Sequence, residues 1–150
     1  MIWPRTFAEN SSLHTPVREF APLALSKGWK KLARLGSADD RLSIGEWRAM
    51  RKALKTFRYT VECFASLHAE SEVGRFIKEL KKLEDVLRPI NEAATAKQLT
   101  SIARETHPAS LDAQRAAGYV LGWHDAQAAQ RTSVVSKAWR RLKKRSRFWT

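Results

Sequence analysis

The sequence predicts an all-α fold, an antiparallel bundle of four to five helices, on three observations. Apolar residues recur at three- and four-residue spacing along most of the chain. No stretch shows the sustained apolar–polar alternation of a half-buried strand. Capping residues, glycines and prolines cut the pattern into pieces of helix length. With 150 residues, 43% of them hydrophobic and including six Trp and six Phe, there is material for one core. The chain is therefore read as an N-terminal tail, residues 1–15, followed by a single bundle, residues 16–150.

A first helix is predicted over Val17 to Leu35, closed by Gly36, with Pro16 and Pro22 near its start and the loop Ser37 to Leu42 after it. The second, Ile44 to Leu67, has the clearest beginning. Ser43 followed by Glu46 forms a capping box, in which each side chain satisfies the other residue's orphan backbone N–H. A third helix runs from Glu72 to Arg88 and should stop or kink at Pro89, which lacks a donor and clashes with the carbonyl four residues earlier. The pattern resumes from Ile90 to Arg104. After the loop Glu105 to Ser110, a fourth helix covers Leu111 to Gln130, its Gly118 and Gly122 on one face at the spacing of a close helix contact. A short last helix, Ser133 to Arg145, leads to the aromatic tail Phe148-Trp149.

The class of partner is read from charge. Lys and Arg number 28 against 15 Asp and Glu, a net +13. Residues 1–60 hold 12 basic and 5 acidic groups, residues 61–130 hold 8 and 10, and residues 131–150 hold 8 and none. An excess gathered in two segments repels itself in the folded state. A multivalent anion is the reason to keep it: phosphate polymer, nucleic acid or acidic lipid surface. The single cysteine, Cys63, excludes an internal disulfide and a CxxC pair, which favours a reducing compartment and makes the cytoplasm the default address. Neither an apolar run of signal-peptide length nor a stretch of about 18 uncharged residues occurs, so membrane insertion is not expected.

The charges form stripes. At about 100° per residue, Arg48, Arg51, Lys52, Lys55 and Arg58 fall on one side of the second helix, while Met50, Ala53, Leu54, Phe57, Val61 and Phe64 gather on the other, the core face. Glu62 stands four residues after Arg58, close enough to orient its guanidinium. Lys27, Lys30, Lys31 and Arg34 repeat the design on the first helix, Arg75, Lys78 and Lys82 on the third, and Lys137, Arg140, Arg141 and Lys144 on the last. A run of Lys and Arg on a helix is ordinarily a solvated face, and Lys82 has Glu79, and Lys81 has Asp85, at ion-pair spacing. Each stripe thus has a plain reading beside the functional one.

Other constellations carry less. His14, His68, His107 and His124 are scattered, without HxxxH or HExxH spacing, so no metal site is expected. The adjacent Glu84 and Asp85 diverge on a helix, a poor arrangement for acid–base chemistry. Neither a GxxxxGK[ST] nor a GxGxxG loop is present, so no nucleotide cofactor is expected. Cys63 reads as core filling, and Trp29, Trp47, Trp123 and Trp139 fit apolar helix faces.

The stretch Trp47-Arg48-Ala49-Met50-Arg51-Lys52-Ala53-Leu54-Lys55-Thr56-Phe57-Arg58-Tyr59-Thr60-Val61-Glu62-Cys63-Phe64 resembles the pattern LHxxRKxxKxLRYxxExF of the CHAD domain, the conserved-histidine α-helical domain. Leu83-Glu84-Asp85-Val86-Leu87-Arg88-Pro89-Ile90-Asn91-Glu92 is similar to the family's LQDxLGxxND. The stretches Ala117 to Trp123 and Lys137 to Arg141, with Phe148-Trp149, are similar to its usual ending. The resemblance covers about Pro16 to Trp149 and corresponds to the C-terminal half of the family's two-bundle domain. Arg48 stands where the eponymous histidine is expected, and Arg88-Pro89 replaces a glycine step.

Members of that family bind inorganic polyphosphate through basic residues, so the resemblance implies a non-catalytic polyphosphate-binding module. It implies as well a twofold homodimer that replaces the missing half, and a place at cytoplasmic polyphosphate granules. The expected contacts are Arg48, Arg51, Lys52, Lys55, Arg58, Arg75, Lys78 and Lys82, together with Lys27, Lys31, Arg34, Arg140, Arg141 and Lys144. Two other classes stay open. A nucleic-acid-binding protein would use the same charge on any phosphate backbone, although no recognition motif is present. A polyphosphate-cleaving enzyme is disfavoured: the family often accompanies triphosphatases with an ExExK metal motif, and here Glu70-Ser71-Glu72-Val73-Gly74 has glycine in the lysine position.

Overall fold

The structure, a computed structural model, describes residues 15–36 and 44–150. Among the described residues there are four α-helices and no strand: α1 Val17–Gly36, α2 Ile44–Cys63, α3 Glu70–Thr106 and α4 Leu111–Lys143, with a short 3-10 turn at Ala65–Leu67. Neighbours in sequence are neighbours in space, α1 on α2, α2 on α3 and α3 on α4. The all-α expectation holds. Ser43, the expected cap of α2, lies outside the described residues. α2 ends at Cys63, short of the expected Leu67, where the backbone tightens into the turn that leads to α3.

Two predicted breaks are absent. α3 runs uninterrupted for 37 residues through Pro89. A helix-interior proline costs about 3 kcal/mol or more. Leu83, Leu87 and Ile90, all buried around it, each contribute about 1.5–3 kcal/mol, so packing outweighs the lost hydrogen bond. The fourth and last predicted helices are likewise one rod, because Val135, Trp139 and Leu142 keep three- and four-residue spacing and are buried. α4 starts where predicted, with the Ser110 side chain accepting a hydrogen bond from the Ala113 N–H at 3.2 Å.

The centre of the core is aromatic, with one ring from each helix and one from the C-terminal tail. Trp29 of α1 lies 5.9 Å from Phe57 of α2 and stacks at 5.8 Å on Trp139 of α4. Phe76 of α3 and Trp149 approach edge to face at 5.2 Å, and Trp149 reaches Phe57 at 5.7 Å. Such pairs add about 0.5–1.5 kcal/mol each beyond area burial.

Two glycines of α1 admit these rings. A Cβ on Gly28 would stand 2.7 Å from Phe57, and one on Gly36 would meet the indole of Trp139. Gly36, expected only as a helix stop, is thus a contact residue. Gly118 and Gly122 are not: nothing lies within 4 Å of a Cβ built on either, which corrects the expected close contact. Trp123, assigned to an apolar face, is 60% exposed, and Cys63, assigned to the core, is exposed as well.

α3 and α4 outrun the other pair. At about 1.5 Å per residue α3 is roughly 55 Å long and α2 roughly 30 Å. Beyond Ile90 the buried residues of α3 are mostly small, Ala93, Ala94, Ala96 and Thr100, with Ala117 on α4. The turn end is clipped by Arg104 Nε donating to Gln114 Oε1 at 2.7 Å.

The glycine geometry makes a paired prediction. Gly28→Ala should destabilise by about 1–3 kcal/mol through overpacking against Phe57. Gly74→Ala, where a Cβ meets open space in α3, should stabilise by about 0.5–1 kcal/mol. Urea unfolding of the two variants checks both signs.

Candidate functional site: cationic helix faces

The apolar stripe of α2 turns Trp47, Met50, Ala53, Leu54, Phe57 and Val61 into the core, so Arg48, Arg51, Lys52 and Lys55 are left exposed on the outer side. Among the described residues no ion pair forms to any of these four. Arg48 Nη2 donates to Gln98 Oε1 at 3.3 Å and to Thr95 at 3.5 Å, which leans it toward the far half of α3. Arg51 lines a cleft with Arg88, Asn91, Glu92 and Thr95 of α3 and with Val120 and His124 of α4. Arg48 and Lys97 line a second cleft beside it. Lys55 lies 5.8 Å from the centre of the Tyr59 ring, a cation–π contact that leaves the ammonium exposed.

Arg58 is different. Its Nε donates to Glu84 Oε1 at 2.8 Å and its Nη1 to Glu62 Oε1 at 2.7 Å, with only 13% of the side chain exposed. The hydrogen bond it donates to Glu84, then the one it donates to Glu62, holds its positive charge more firmly than in a free guanidinium, against the cost of burial. The Glu62 partner was expected. Glu84 was not, and it makes Arg58 a tie between α2 and α3 with both charges internally matched. Tyr59 stacks on it at 4.6 Å.

On α3, Arg75, Lys78 and Lys82 are exposed at helical spacing. Arg75 donates to the Ser71 carbonyl at 2.9 Å and lines a small cleft with Glu72, Phe76 and Arg145. Lys82 pairs with Glu79 at 3.0 Å, and Arg145 reaches the same carboxylate at 3.5 Å. Asp85 pairs with Arg88 at 3.4 Å and not with Lys81. Lys27, Lys30, Lys31 and Arg34 of α1 line a groove with Phe20, Leu23 and Thr60. At about 100° per residue Thr60 is on the opposite flank of α2 from Arg58. Lys137, Arg140 and Arg141 of α4, and Lys144 just past its end, are exposed.

The four stripes therefore do not line one cleft. The α2 stripe joins the middle of α3, the α3 stripe joins the tail, and the α1 stripe lines its own groove. Arg88, Lys97 and Arg145 join these groups without having been singled out from the sequence. Periodicity places them on α3 or after α4, and only the way α3 divides its faces between α2 and α4 shows which stripe each extends.

Among the described residues no group of three or more His, Cys, Asp or Glu is placed to hold a metal ion. None of the helices is long and apolar enough to cross a membrane.

Four helices with exposed cations on their outer faces around an aromatic core define an all-α bundle with a cationic surface. The family model of the CHAD domain matches residues 3–101, two thirds of the chain, and the chain belongs to that family. The family is associated in general with polyphosphate binding. The match includes the motifs read on α2 and at the middle of α3, whereas the stretches Ala117 to Trp123 and Lys137 to Arg141 with Phe148-Trp149, read as the family's ending, lie beyond it. No curated protein and no solved structure matches the chain.

Glu79 gives this region a pH signature. The hydrogen bond from Lys82, aided by the charge of Arg145, holds its carboxyl below the usual carboxylate range in spite of burial. A depressed folded-state value means that the stabilisation is present above the unfolded value, about 4.3, and is lost as pH falls through the folded value. Glu79→Gln should be less stable than the parent at neutral pH, with the gap closing in acid. A gap that stays constant from about pH 7 to 3 in urea titrations would show that the carboxylate charge contributes nothing.

Proposed function

We propose that the chain binds inorganic polyphosphate along the exposed face of α2 and the adjoining middle of α3, and that it acts by binding and not by catalysis. The observation that carries the reading is the ridge Arg48, Arg51, Lys52 and Lys55, exposed and without a carboxylate partner among the described residues. Arg88 and Lys97 extend it onto α3. A flexible phosphate polymer needs no single deep pocket. It needs rows of cations on rigid supports, where charge-assisted hydrogen bonds form as counterions leave. The α1 groove and the α3 and α4 stripes then act as further contacts for longer polymers, raising affinity through effective concentration.

In this reading Arg58 positions α2 and does not itself grip the polymer. Lys82 is a weaker contact than Lys78, because Glu79 competes for it. The setting proposed is the cytoplasm, at polyphosphate granules. The same charge would grip nucleic acid, so competition by duplex DNA and RNA belongs in the test.

Charge reversal at two positions, Arg51→Glu with Lys55→Glu, should weaken binding of long-chain polyphosphate by at least tenfold. It should also flatten the slope of log K against log salt by about 1.4, the value for two lost contacts to a single strand. Unchanged affinity rejects the site. Displacement by duplex nucleic acid at equal phosphate concentration rejects polyphosphate selectivity, and phosphate release from polyphosphate with Mg²⁺ or Mn²⁺ rejects the non-catalytic reading.

A further inference from the structure

The half of α4 next to the α3–α4 turn presents an apolar face that the polyphosphate reading does not use. Tyr119 is 81% exposed and Trp123, one turn later, 60%. Both stand on the side of α4 away from the buried Ala117. Val120, 43% exposed, and Leu99 of α3, 60% exposed, carry the surface to the edge of the cleft whose other side Arg51 and Arg88 line. With an aromatic side chain offering about 150–250 Å² at these exposures, the four residues leave roughly 450 Å² open, within the ~300–600 Å² of the largest apolar patch on an ordinary monomer, a patch that is often functional. Gly118 and Gly122, also exposed, border the rings on one side, where a second helix can come close and add its own side chains to the contact.

Two further observations say what covers it. Residues 99–130 hold two basic groups, Arg104 and Arg115, against three acidic ones, Glu105, Asp112 and Asp125, so the surplus of +13 lies wholly elsewhere. Inside a helix each glycine is disfavoured by about 0.5–1 kcal/mol relative to alanine. Yet a Cβ at Gly118 or Gly122 would meet nothing within 4 Å. The monomer has no use for the missing methyl groups, whereas a helix laid closely on this face does.

We propose that this face joins two copies of the chain, α4 against α4 about a twofold axis, so that two helical hairpins meet as a four-helix contact. A polyanion gains nothing from exposed rings, and an acidic partner finds no cation surplus here. A second copy brings the same apolar strip, and it meets the first at the low-charge part of both. Across the cationic stripes of α1 and α2 and the basic C-terminal segment, two chains repel.

Light scattering on the whole protein at roughly 10–100 μM, without polyphosphate, tests the proposal. The expected mass is twice that of one chain. Trp123→Glu and Tyr119→Glu should each halve it with helix content unchanged. Gly122→Leu should do the same, because its side chain has open space in one copy and only the approach of a second is blocked. A wild-type mass of one chain overturns the proposal, as does a dimer that survives all three substitutions. A blue shift of tryptophan emission on phosphatidylcholine vesicles by a chain that is monomeric in solution also overturns it, in favour of a lipid-facing surface. Reversal at Lys52 and Lys55, neither of which lines the cleft of Arg51 and Arg88, should weaken polyphosphate binding and leave the mass unchanged, so failure of the polyphosphate reading and failure of this one are seen separately.

Discussion

The meeting of Trp29, Phe57, Phe76, Trp139 and Trp149 constrains everything else in the molecule, since each ring fixes the rotation of the helix that carries it. Once Phe57 points inward beneath Gly28, the register of α2 leaves Arg48, Arg51, Lys52 and Lys55 no place but the outer surface. The cationic ridge is in this sense a by-product of ring packing. Interiors at crystal-like density transmit such constraints because no side chain has room to turn independently.

The acids have a complementary job. Glu62, Glu84 and Glu79 are only partly exposed or buried, and each is engaged by a cation at the seam between elements. Their charges are consumed inside the fold as ties, α2 to α3 through Arg58 and α3 to the tail through Arg145. A partly buried ion pair of this kind adds little net stability after desolvation, yet it is specific about which face meets which. The outer cations of α2, Arg48, Arg51, Lys52 and Lys55, are left unpaired by these carboxylates.

Helix class, helix faces and the α2 ridge were readable from the residues because three- and four-residue periodicity reports which side is buried. Helix length was less so. A proline at position 89 and the Ser133 region look like stops when judged locally, and the burial of Leu83, Leu87 and Ile90, or of Val135, Trp139 and Leu142, is a property of neighbours that the local sequence does not name. The same limit explains Gly118, Gly122 and Trp123, whose spacing is that of a packed helix while the fold puts no helix against them. It explains the second partner of Arg58 too, since Glu84 lies 26 residues away on another helix. Family membership was readable, because the motif on α2 contains residues whose charge, and not only their polarity, is specified.

The overhang of α3 and α4 has a consequence for how the molecule breathes. Near the aromatic centre the two helices are joined by Leu, Phe and Trp side chains, while toward their turn the seam is Ala93, Ala96, Thr100 and Ala117 with one Arg104–Gln114 clip. An alanine methyl buries far less apolar area than a leucine or phenylalanine side chain, and the free energy of local opening follows the area that must be exposed. Amide protons along the outer hairpin therefore exchange with solvent well before those beside Phe76 and Trp139. The molecule is a firm base carrying a softer arm, and whatever settles on that arm firms it by mass action.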